Sequence, residues 1–231
     1  MEERKLPIIA IQRIRMTTDG TGVTTLVCSK GCPLRCRFCL NPSSWDDTKP
    51  AEILSVDELY ERVKIDNLYF ITTGGGLTLG GGEPLLHSAF WKEFMEKYRE
   101  TNWSFNIETS LNVSREHLDD LIPYINEYIV DVKDMDPERY REYTDGDYDL
   151  FFENLMYLKE KVGQEKILLR IPTIPFFHKE NEAEESQKKL EKLGFTRFDR
   201  FRYINPENRK PISDEAKENR EKILGKVRSQ F

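Results

Sequence analysis

Short apolar segments rich in β-branched residues alternate along the chain with longer segments in which apolar residues recur every three or four positions. The short segments are typical of buried strands, and the longer ones are typical of helices that pack one face on a core. The pattern predicts strands at Val23–Cys28, Leu77–Leu79, Trp103–Glu108, Tyr128–Val132, Lys166–Ile171 and Phe198–Ile204. It predicts helices from Ser55 to about Ile65 and at His87–Arg99, Ser114–Ile125, Asp136–Tyr143, Asp149–Val162 and Glu182–Leu193. Because strands that alternate with helices form right-handed βαβ units, we expect an α/β fold with a parallel sheet and outer helices.

Local signals mark several element ends. Ser55 followed by Glu58 has the spacing of a capping box at a helix start, and Gly163 is a typical helix stop. The helix at Glu182–Leu193 is polar and is expected to face solvent. Beyond residue 204 the density of apolar residues falls, which predicts one core domain at 1–204 and a charged surface tail at 205–231.

Composition and charge exclude several classes of protein. The chain has 231 residues, 38% hydrophobic and 33% charged, so it can bury a core without a disulfide. No apolar run approaches the ~20 residues that span a bilayer, and the N-terminal segment lacks the cleavage site of a signal peptide. The net charge of −6 argues against a nucleic-acid partner. We therefore expect a cytoplasmic protein, monomeric when free, that binds neither membranes nor nucleic acid.

All four cysteines of the chain lie between positions 28 and 39. Cys32, Cys36 and Cys39 follow the spacing C-x3-C-x2-C, and three thiolates on one short loop can hold three irons of a [4Fe–4S] cluster and leave the fourth iron open. Structural zinc, with Cys28 as a fourth ligand, is the alternative. It is disfavoured because no second pair of Cys or His ligands follows. Cys28 falls within an apolar strand, where a free thiol packs as a small hydrophobe.

Further polar features fall where predicted strands end. These are the glycine-rich segment from Gly80 to Glu83, the pair Glu108 and Thr109, and the segment from Asp131 to Lys133. Parallel sheets bind ligands beyond the carboxyl ends of their strands. The sequence therefore predicts one site, shared with the cysteine loop, at this rim of the sheet.

The segments IQRIRMTTDGTGVTT, KGCPLRCRFCLNP, GGGLTLGGGEPLL, DVKDMDPERYREYT and LLRIPTIP together resemble the radical S-adenosylmethionine (SAM) enzymes. Within that group they resemble the activating enzymes of glycyl radical enzymes, of the pyruvate formate-lyase-activating type, over about residues 8–204. The resemblance implies a partial (β/α)6 barrel with one [4Fe–4S] cluster held by Cys32, Cys36 and Cys39 at its open rim. It implies an oxidoreductase that cleaves SAM reductively to methionine and a 5′-deoxyadenosyl radical.

The resemblance also implies partners. The radical would abstract a glycine Cα hydrogen from a glycyl radical enzyme, and a flavodoxin or ferredoxin would supply the electron. An open barrel side suits the entry of a peptide loop.

The resemblance assigns a set of residues to the binding of SAM. These are Phe38, Cys39, Leu40, Gly81, Gly82, Glu83, Asp131, Val132, Lys133 and Arg170. Gly82 is expected to approach the methionine moiety closely, where a glycine also permits a positive φ, and the Glu83 carboxylate or nearby backbone carbonyls can accept the ammonium group of that moiety. Lys133 would supply a point charge for the methionine carboxylate. Arg170 either contacts SAM or belongs to a structural ion pair.

The chain departs from this family at two places. Glu108, Thr109 and Asp131 stand where the resemblance implies a site for a monovalent cation, but a glutamate replaces the usual aspartate and Leu111 replaces a glycine. The last strand, which continues as FRYIN over residues 201–205, lacks the histidine that family members place near the adenine.

Two other functions stay open at this point. One is a radical SAM enzyme that acts on a different peptide or on a small metabolite. The other is a non-catalytic zinc-binding module, which an iron and sulfide analysis would separate from both enzymes.

Overall fold

Eight strands form one sheet in the computed structural model, which describes residues 3–16, 18–174, 177–179 and 181–202. The strands are β1 (Lys5–Met16), β2 (Val23–Ser29), β3 (Glu52–Ser55), β4 (Gly76–Gly81), β5 (Ser104–Thr109), β6 (Glu127–Asp131), β7 (Ile167–Thr173) and β8 (Phe198–Arg202). The helices are α1 (Val56–Val63), α2 (Asn67–Thr73), α3 (Ser88–Lys97), α4 (Arg115–Leu121), α5 (Pro137–Thr144), α6 (Tyr148–Val162) and α7 (Glu182–Lys192). The order across the sheet is β3-β1-β2-β4-β5-β6-β7-β8.

The parallel sheet expected from the sequence is confirmed. β2, β4, β5, β6, β7 and β8 pair in parallel in that order. Over the described part of the chain the two outermost strands, β3 and β8, do not pair with each other, so the sheet is an open, partial barrel. None of the described helices is long and apolar enough to cross a bilayer. The expected domain boundary at 204, the tail at 205–231 and the last two residues expected in the final strand lie outside the described residues.

Two strands and one helix were missed at the sequence level. β1 pairs antiparallel with both β2 and β3, so these three strands extend the parallel sheet on one side. β1 has no clean alternation because it contains Pro7, Arg13 and Arg15, and its register with β2 shifts between Gln12 and Arg15. Ile14 has φ +56° at that irregularity. α2 was missed because its sequence, NLYFITT, is rich in residues that favour strands.

The capping signals are confirmed. The Ser55 hydroxyl accepts a hydrogen bond from the Glu58 amide at 3.3 Å, and the Glu58 carboxylate accepts one from the Ser55 amide at 2.8 Å. These two bonds satisfy amides that a helix start leaves without intrahelical partners. Gly163 ends α6 with φ +79°.

The expectation of a solvent-facing last helix was partly wrong. α7 buries Ala183, Ser186 and Leu190, and its described contacts include β7. The Ser186 hydroxyl accepts a hydrogen bond from the amide of Met135 at 3.1 Å. A sequence pattern weighted by charge overlooked this face because two of the four buried residues of α7 are small and a third, Glu182, is charged.

The two faces of the sheet differ in character. Side chains alternate between faces along each strand. Leu79 belongs to the apolar core cluster that also contains Trp91 of α3. The neighbouring Thr78 points the other way, and it and Asn106 donate hydrogen bonds to the carbonyl of Asp19 at 2.5 and 3.3 Å. The turn between β1 and β2 is thereby held against the inner, polar face of the barrel.

Asp66 anchors β1 to this frame. Its side chain is fully buried, and its carboxylate accepts hydrogen bonds from Arg13 of β1 and from the Thr25 hydroxyl of β2 at 2.7 Å. Burial alone would raise the pKa of Asp66, but these hydrogen bonds and the Arg13 charge outweigh it and hold the pKa below its ordinary value.

Asp66→Asn should lower the free energy of unfolding at pH 7 by about 1–3 kcal/mol, because the amide has one acceptor oxygen in place of two and no charge to pair with Arg13. A carboxylate with a depressed folded-state pKa stabilises the fold above its unfolded pKa and loses that effect as the pH falls through its folded pKa. The difference between parent and variant should therefore shrink below about pH 4. Urea unfolding across pH measures it. Glu52→Gln, which removes an exposed partner of Arg62, is the control and should change stability by less than about 1 kcal/mol.

Candidate active site

The cysteine loop begins where β2 ends and is fixed by backbone hydrogen bonds. The amides of Arg35 and Arg37 donate to the carbonyls of Thr144 and Tyr143 at the end of α5, at 2.8 and 3.0 Å. Leu34, between the first two cysteines of the motif, is 1% exposed. Backbone hydrogen bonds to α5 and the packing of Leu34 therefore hold the loop in place.

Cys32, Cys36 and Cys39 are free and half-buried, whereas Cys28 is buried on β2. Burial, with a contribution from Glu83, raises the pKa of Cys32 to about 12, and burial likewise raises the pKa of Cys36. These thiols are protonated at neutral pH unless a metal holds them as thiolates, so metal binding would release protons.

The arrangement of donors suits a cluster better than one metal ion. Among the described residues, no three His, Cys, Asp or Glu side chains converge on a point where they could hold a single ion. A zinc ion needs all its ligands at one centre, whereas a [4Fe–4S] cluster bonds each cysteine sulfur to a different iron. The three free cysteines on one cavity wall fit the second requirement.

The glycine loop after β4 lies against the cysteine loop. The Gly82 amide donates to the Ser29 carbonyl at 2.9 Å, and the Glu83 amide donates to the Gly31 carbonyl at 2.7 Å. The Asn41 side-chain amide donates to the Gly81 carbonyl at 3.2 Å. Two loops from neighbouring strands thus form one continuous wall.

Gly82 does not use the positive φ that a glycine permits at this position. Within this loop the positive φ belongs to Gly81, at +93°, where a Cβ would lie 2.6 Å from the Cα of Cys28. At Gly82 a Cβ would lie 2.1 Å from the carbonyl oxygen of Gly31. The close contact between the two loops is therefore the main reason that position 82 requires a glycine.

The carboxylate of Glu83 is hydrogen-bonded within the protein. Glu83 is 1% exposed, and it accepts hydrogen bonds from the Thr109 hydroxyl at 2.8 Å and from the amide and hydroxyl of Ser110 at 2.8 and 2.6 Å. Burial raises its pKa, and these hydrogen bonds oppose that effect. These hydrogen bonds occupy both carboxylate oxygens and Glu83 is not among the described residues that line the cavity, so the expected use of this carboxylate to receive an ammonium group stays a prediction.

A cavity of about 570 Å³ opens at the carboxyl ends of the parallel strands. Most of the site residues expected from the sequence line it: Cys32, Cys36, Cys39, Leu40, Gly81, Gly82, Glu108, Thr109, Asp131, Lys133 and Arg170. The sequence reasoning missed other lining residues, among them Gln12, Arg15, Asp19, Asn41, Ser44, Tyr143 and Asp199. Those from β1 and the turn after it could have been found only by recognising β1 as a strand.

Phe38 and Val132 do not line the cavity. Phe38 packs on Tyr143 and Phe177, with ring centroids 6.1 and 5.9 Å apart, beside Cys36. Val132 is buried, and its amide donates to the Arg170 carbonyl at 3.0 Å. Phe38 therefore belongs to the aromatic cluster beside Cys36, and Val132 lies just after β6 and bonds to β7.

The charged residues of the cavity are paired with one another. The Lys133 ammonium lies 2.8 Å from the Asp131 carboxylate, and the Arg170 guanidinium lies 2.7 Å from Glu108 and 3.4 Å from Asp199. Burial would lower the pKa of Lys133, but the charge of Asp131 outweighs it and raises the pKa well above its ordinary value. Burial would raise the pKa of Asp131, but Lys133 and Arg170 outweigh it and lower the pKa.

These pairings do not support the expected cation site. Glu108 is paired with Arg170, Asp131 is paired with Lys133, and the Thr109 hydroxyl donates to Glu83. For Arg170, left open between two roles, the structure shows an ion pair at the cavity wall. Phe201 of β8 lines the cavity near the place expected for the missing histidine, and residues 203–205 lie outside the described residues.

Comparison with known protein families identifies the superfamily of this chain. The sequence pattern of the Radical SAM superfamily matches residues 26–190, which contain the cysteine loop and most of the parallel sheet. The chain belongs to the radical SAM superfamily. The resemblance to this superfamily that was drawn from the sequence is thereby confirmed.

Relatives and one solved structure extend the comparison. The chain is 29% identical over 228 residues to the (2S)-3-sulfopropanediol dehydratase activating enzyme of Klebsiella oxytoca, covering 73% of this chain and 71% of that protein. It is 29% identical over 225 residues to the 4-hydroxyphenylacetate decarboxylase activating enzyme of Clostridioides difficile, covering 71% of each. The crystal structure of Streptococcus suis SuiB bound to S-adenosylmethionine matches with a TM-score of 0.59 at 15% identity, covering 86% of this chain and 46% of that one. That last likeness concerns the fold.

Gly82→Ala should reduce the iron bound after anaerobic reconstitution. The added Cβ would clash with the Gly31 carbonyl, so the glycine loop and the cysteine loop would have to move apart. The matched control is Gly74→Ala, where φ is +71° but a Cβ would meet no atom within 4 Å. The control should lose about 1 kcal/mol of stability and keep its iron. Iron content and circular dichroism measure both, and a folded Gly82→Ala protein with the iron content of the parent would contradict the argument.

Proposed function

We propose that this chain is an activating enzyme of a glycyl radical enzyme, acting in the cytoplasm under anaerobic conditions. The observation that carries the proposal is the shared wall of one cavity, on which three free cysteines, a glycine loop and the pair Asp131 and Lys133 meet at the carboxyl ends of parallel strands. The two relatives described above bear the name of activating enzymes, which supports this reading over the other radical SAM reactions.

Cys32, Cys36 and Cys39 are the residues that would hold a [4Fe–4S] cluster. A reduced cluster with bound SAM supplies one-electron cleavage of SAM, and the cofactors carry that chemistry while the protein supplies orientation and exclusion of water. The chain orients the cluster through the fixed backbone of the loop, since Arg35 and Arg37 bond to the end of α5. No proton-transferring side chain is needed for this reaction.

The cavity offers complementary groups for the two charges of the methionine end of SAM. The Lys133 ammonium is a point charge suited to a carboxylate. The carbonyl of Gly81 has a second lone pair beside the one that Asn41 uses, and no side chain at Gly81 or Gly82 shields the backbone. An ammonium group can therefore be received by backbone oxygens, with no part for the buried Glu83.

The partner would reach the cavity as a peptide segment. The sheet is open between β3 and β8 over the described residues, so the cavity is not enclosed by a complete ring of strands. The hydrogen taken would come from a glycine Cα of the partner, and a flavodoxin or ferredoxin would supply the electron.

Replacing Cys32, Cys36 or Cys39 by Ala should abolish 5′-deoxyadenosine formation and most iron binding, because each sulfur holds one iron. Cys28→Ala is the matched control, since Cys28 is 1% exposed on β2 and should affect packing alone. Iron and sulfide per chain are the readouts. An equal loss of iron in Cys28→Ala and Cys36→Ala would overturn the ligand assignment, and zinc in place of iron in the parent would support the zinc-binding alternative.

Asp131→Ala and Lys133→Ala should each weaken SAM binding about tenfold or more while iron content stays at the parent level. The reason is that Lys133 loses either its charge or the carboxylate that positions it. Lys188→Ala, which removes an exposed lysine paired with Glu184, is the control. Calorimetric titration with SAM decides, and parent-like affinity in both variants would return Asp131 and Lys133 to a structural role.

The partner is tested by anaerobic incubation of the reconstituted protein, SAM and a reductant with a candidate glycyl radical enzyme. The expected result is a glycyl radical signal in electron paramagnetic resonance, together with stoichiometric 5′-deoxyadenosine. If SAM is cleaved but none of the glycyl radical enzymes of the host gives that signal, the result would favour the alternative, a radical SAM enzyme that acts on a different substrate.

A further inference from the structure

Four charged side chains project from neighbouring strands onto the inner face of the barrel. In the parallel register Asp131 of β6 is opposite Arg170 of β7, and Arg170 is opposite Asp199 of β8. Glu108 of β5 is opposite Ile129, two residues before Asp131. Residues that are opposite each other or two apart share a face, so all four charged side chains point into the cavity.

Arg170 reaches across β6 to Glu108. Two strand spacings of about 4.8 Å separate β5 from β7, and Arg170 is also two positions further along than Leu168, the residue level with Glu108. The gap is closed by two long side chains, which meet at 2.7 Å. An aspartate at position 108 would be one methylene shorter, so the glutamate of this chain is what brings the carboxylate to the guanidinium.

Arg170 is held there by more than Glu108. Its guanidinium also donates to the carbonyl of Thr18 at 2.7 Å and lies 3.4 Å from Asp199. The side chain is 15% exposed. The planar donor fork of a guanidinium suits three acceptors in fixed directions, so these contacts hold the Arg170 side chain in one position on the cavity wall.

Each of the two carboxylates expected to bind a monovalent cation already has a positive side chain beside it, and Asp199 shares Arg170 with one of them. Glu108 has Arg170, and Asp131 has Lys133 at 2.8 Å. The third candidate ligand, the Thr109 hydroxyl, donates to Glu83 and accepts from the Leu111 amide at 3.0 Å. A cation placed here would meet the like charge of Arg170, which costs free energy in a partly buried site.

We infer that the guanidinium of Arg170, drawn into place by Glu108, occupies the position of the expected monovalent cation, so that SAM binding by this chain needs neither potassium nor sodium. The inference rests on the proposed binding of SAM to the cavity. It makes Arg170 a positioning residue that fixes the charge beside Asp131.

The test is calorimetric titration of the cluster-loaded protein with SAM, at equal ionic strength, with potassium or tetramethylammonium as the sole monovalent cation. The parent should show a ratio of affinities within about twofold of 1. Arg170→Met and Arg170→Gln uncover Glu108 and should create a preference for potassium of about fivefold or more, whatever their overall affinity. Arg62→Met, which removes an arginine from the exposed pair with Glu52, is the control and should behave as the parent.

Each outcome has one meaning. A parent that binds SAM several times more tightly in potassium overturns the inference, as do Arg170 variants without any cation preference. If one Arg170 variant fails to fold, the other variant and the parent titration decide. Absence of SAM binding in every buffer is a separate result. It contradicts the proposed function, whereas the inference that Arg170 takes the place of the cation concerns only the cation dependence of SAM binding.

Discussion

The backbone contact between Gly31 and Gly82 is the constraint on which the site depends. It joins the loop after β2, which bears the cysteines, to the loop after β4, and it leaves no room for a Cβ at Gly82. Amide-to-carbonyl hydrogen bonds from Gly82 and Glu83 close the junction. Parallel strands bring loop ends to one rim, and this contact brings the two loops close enough to share a wall.

Glu83 extends the same constraint to the next strand. Its buried carboxylate bonds to Thr109 and Ser110, so the end of β5 is joined to the glycine loop. A buried carboxylate is costly unless it is hydrogen-bonded, and here several donors offset that cost. The outcome is a continuous hydrogen-bonded wall across the ends of β2, β4 and β5, beside the cavity charges of β6 and β7.

The sequence was sufficient for the six parallel strands, the capping box at Ser55 and the rim position of the cysteine loop. These features follow from periodicity, spacing and a resemblance, all of which are local in the chain. β1 escaped notice because Pro7 and an irregular register break its alternation. The internal use of Glu83 and the pairing of Glu108 with Arg170 could not be predicted, because each depends on the register between strands and on which side chain reaches across it.

Paired charges also explain how a cavity lined by ionisable groups stays stable before any ligand binds. An unpaired charge in such a place would cost several kcal/mol, by general estimates of about 3–5 kcal/mol for breaking a buried pair. Lys133 already has a carboxylate partner at 2.8 Å, so an entering carboxylate joins an existing pair and does not create a new buried charge. An incoming zwitterion brings its own opposite charge with it. The carboxylate and ammonium groups of the ligand then cancel each other locally, and the positive sulfonium of SAM is the one net charge that the site has to accommodate.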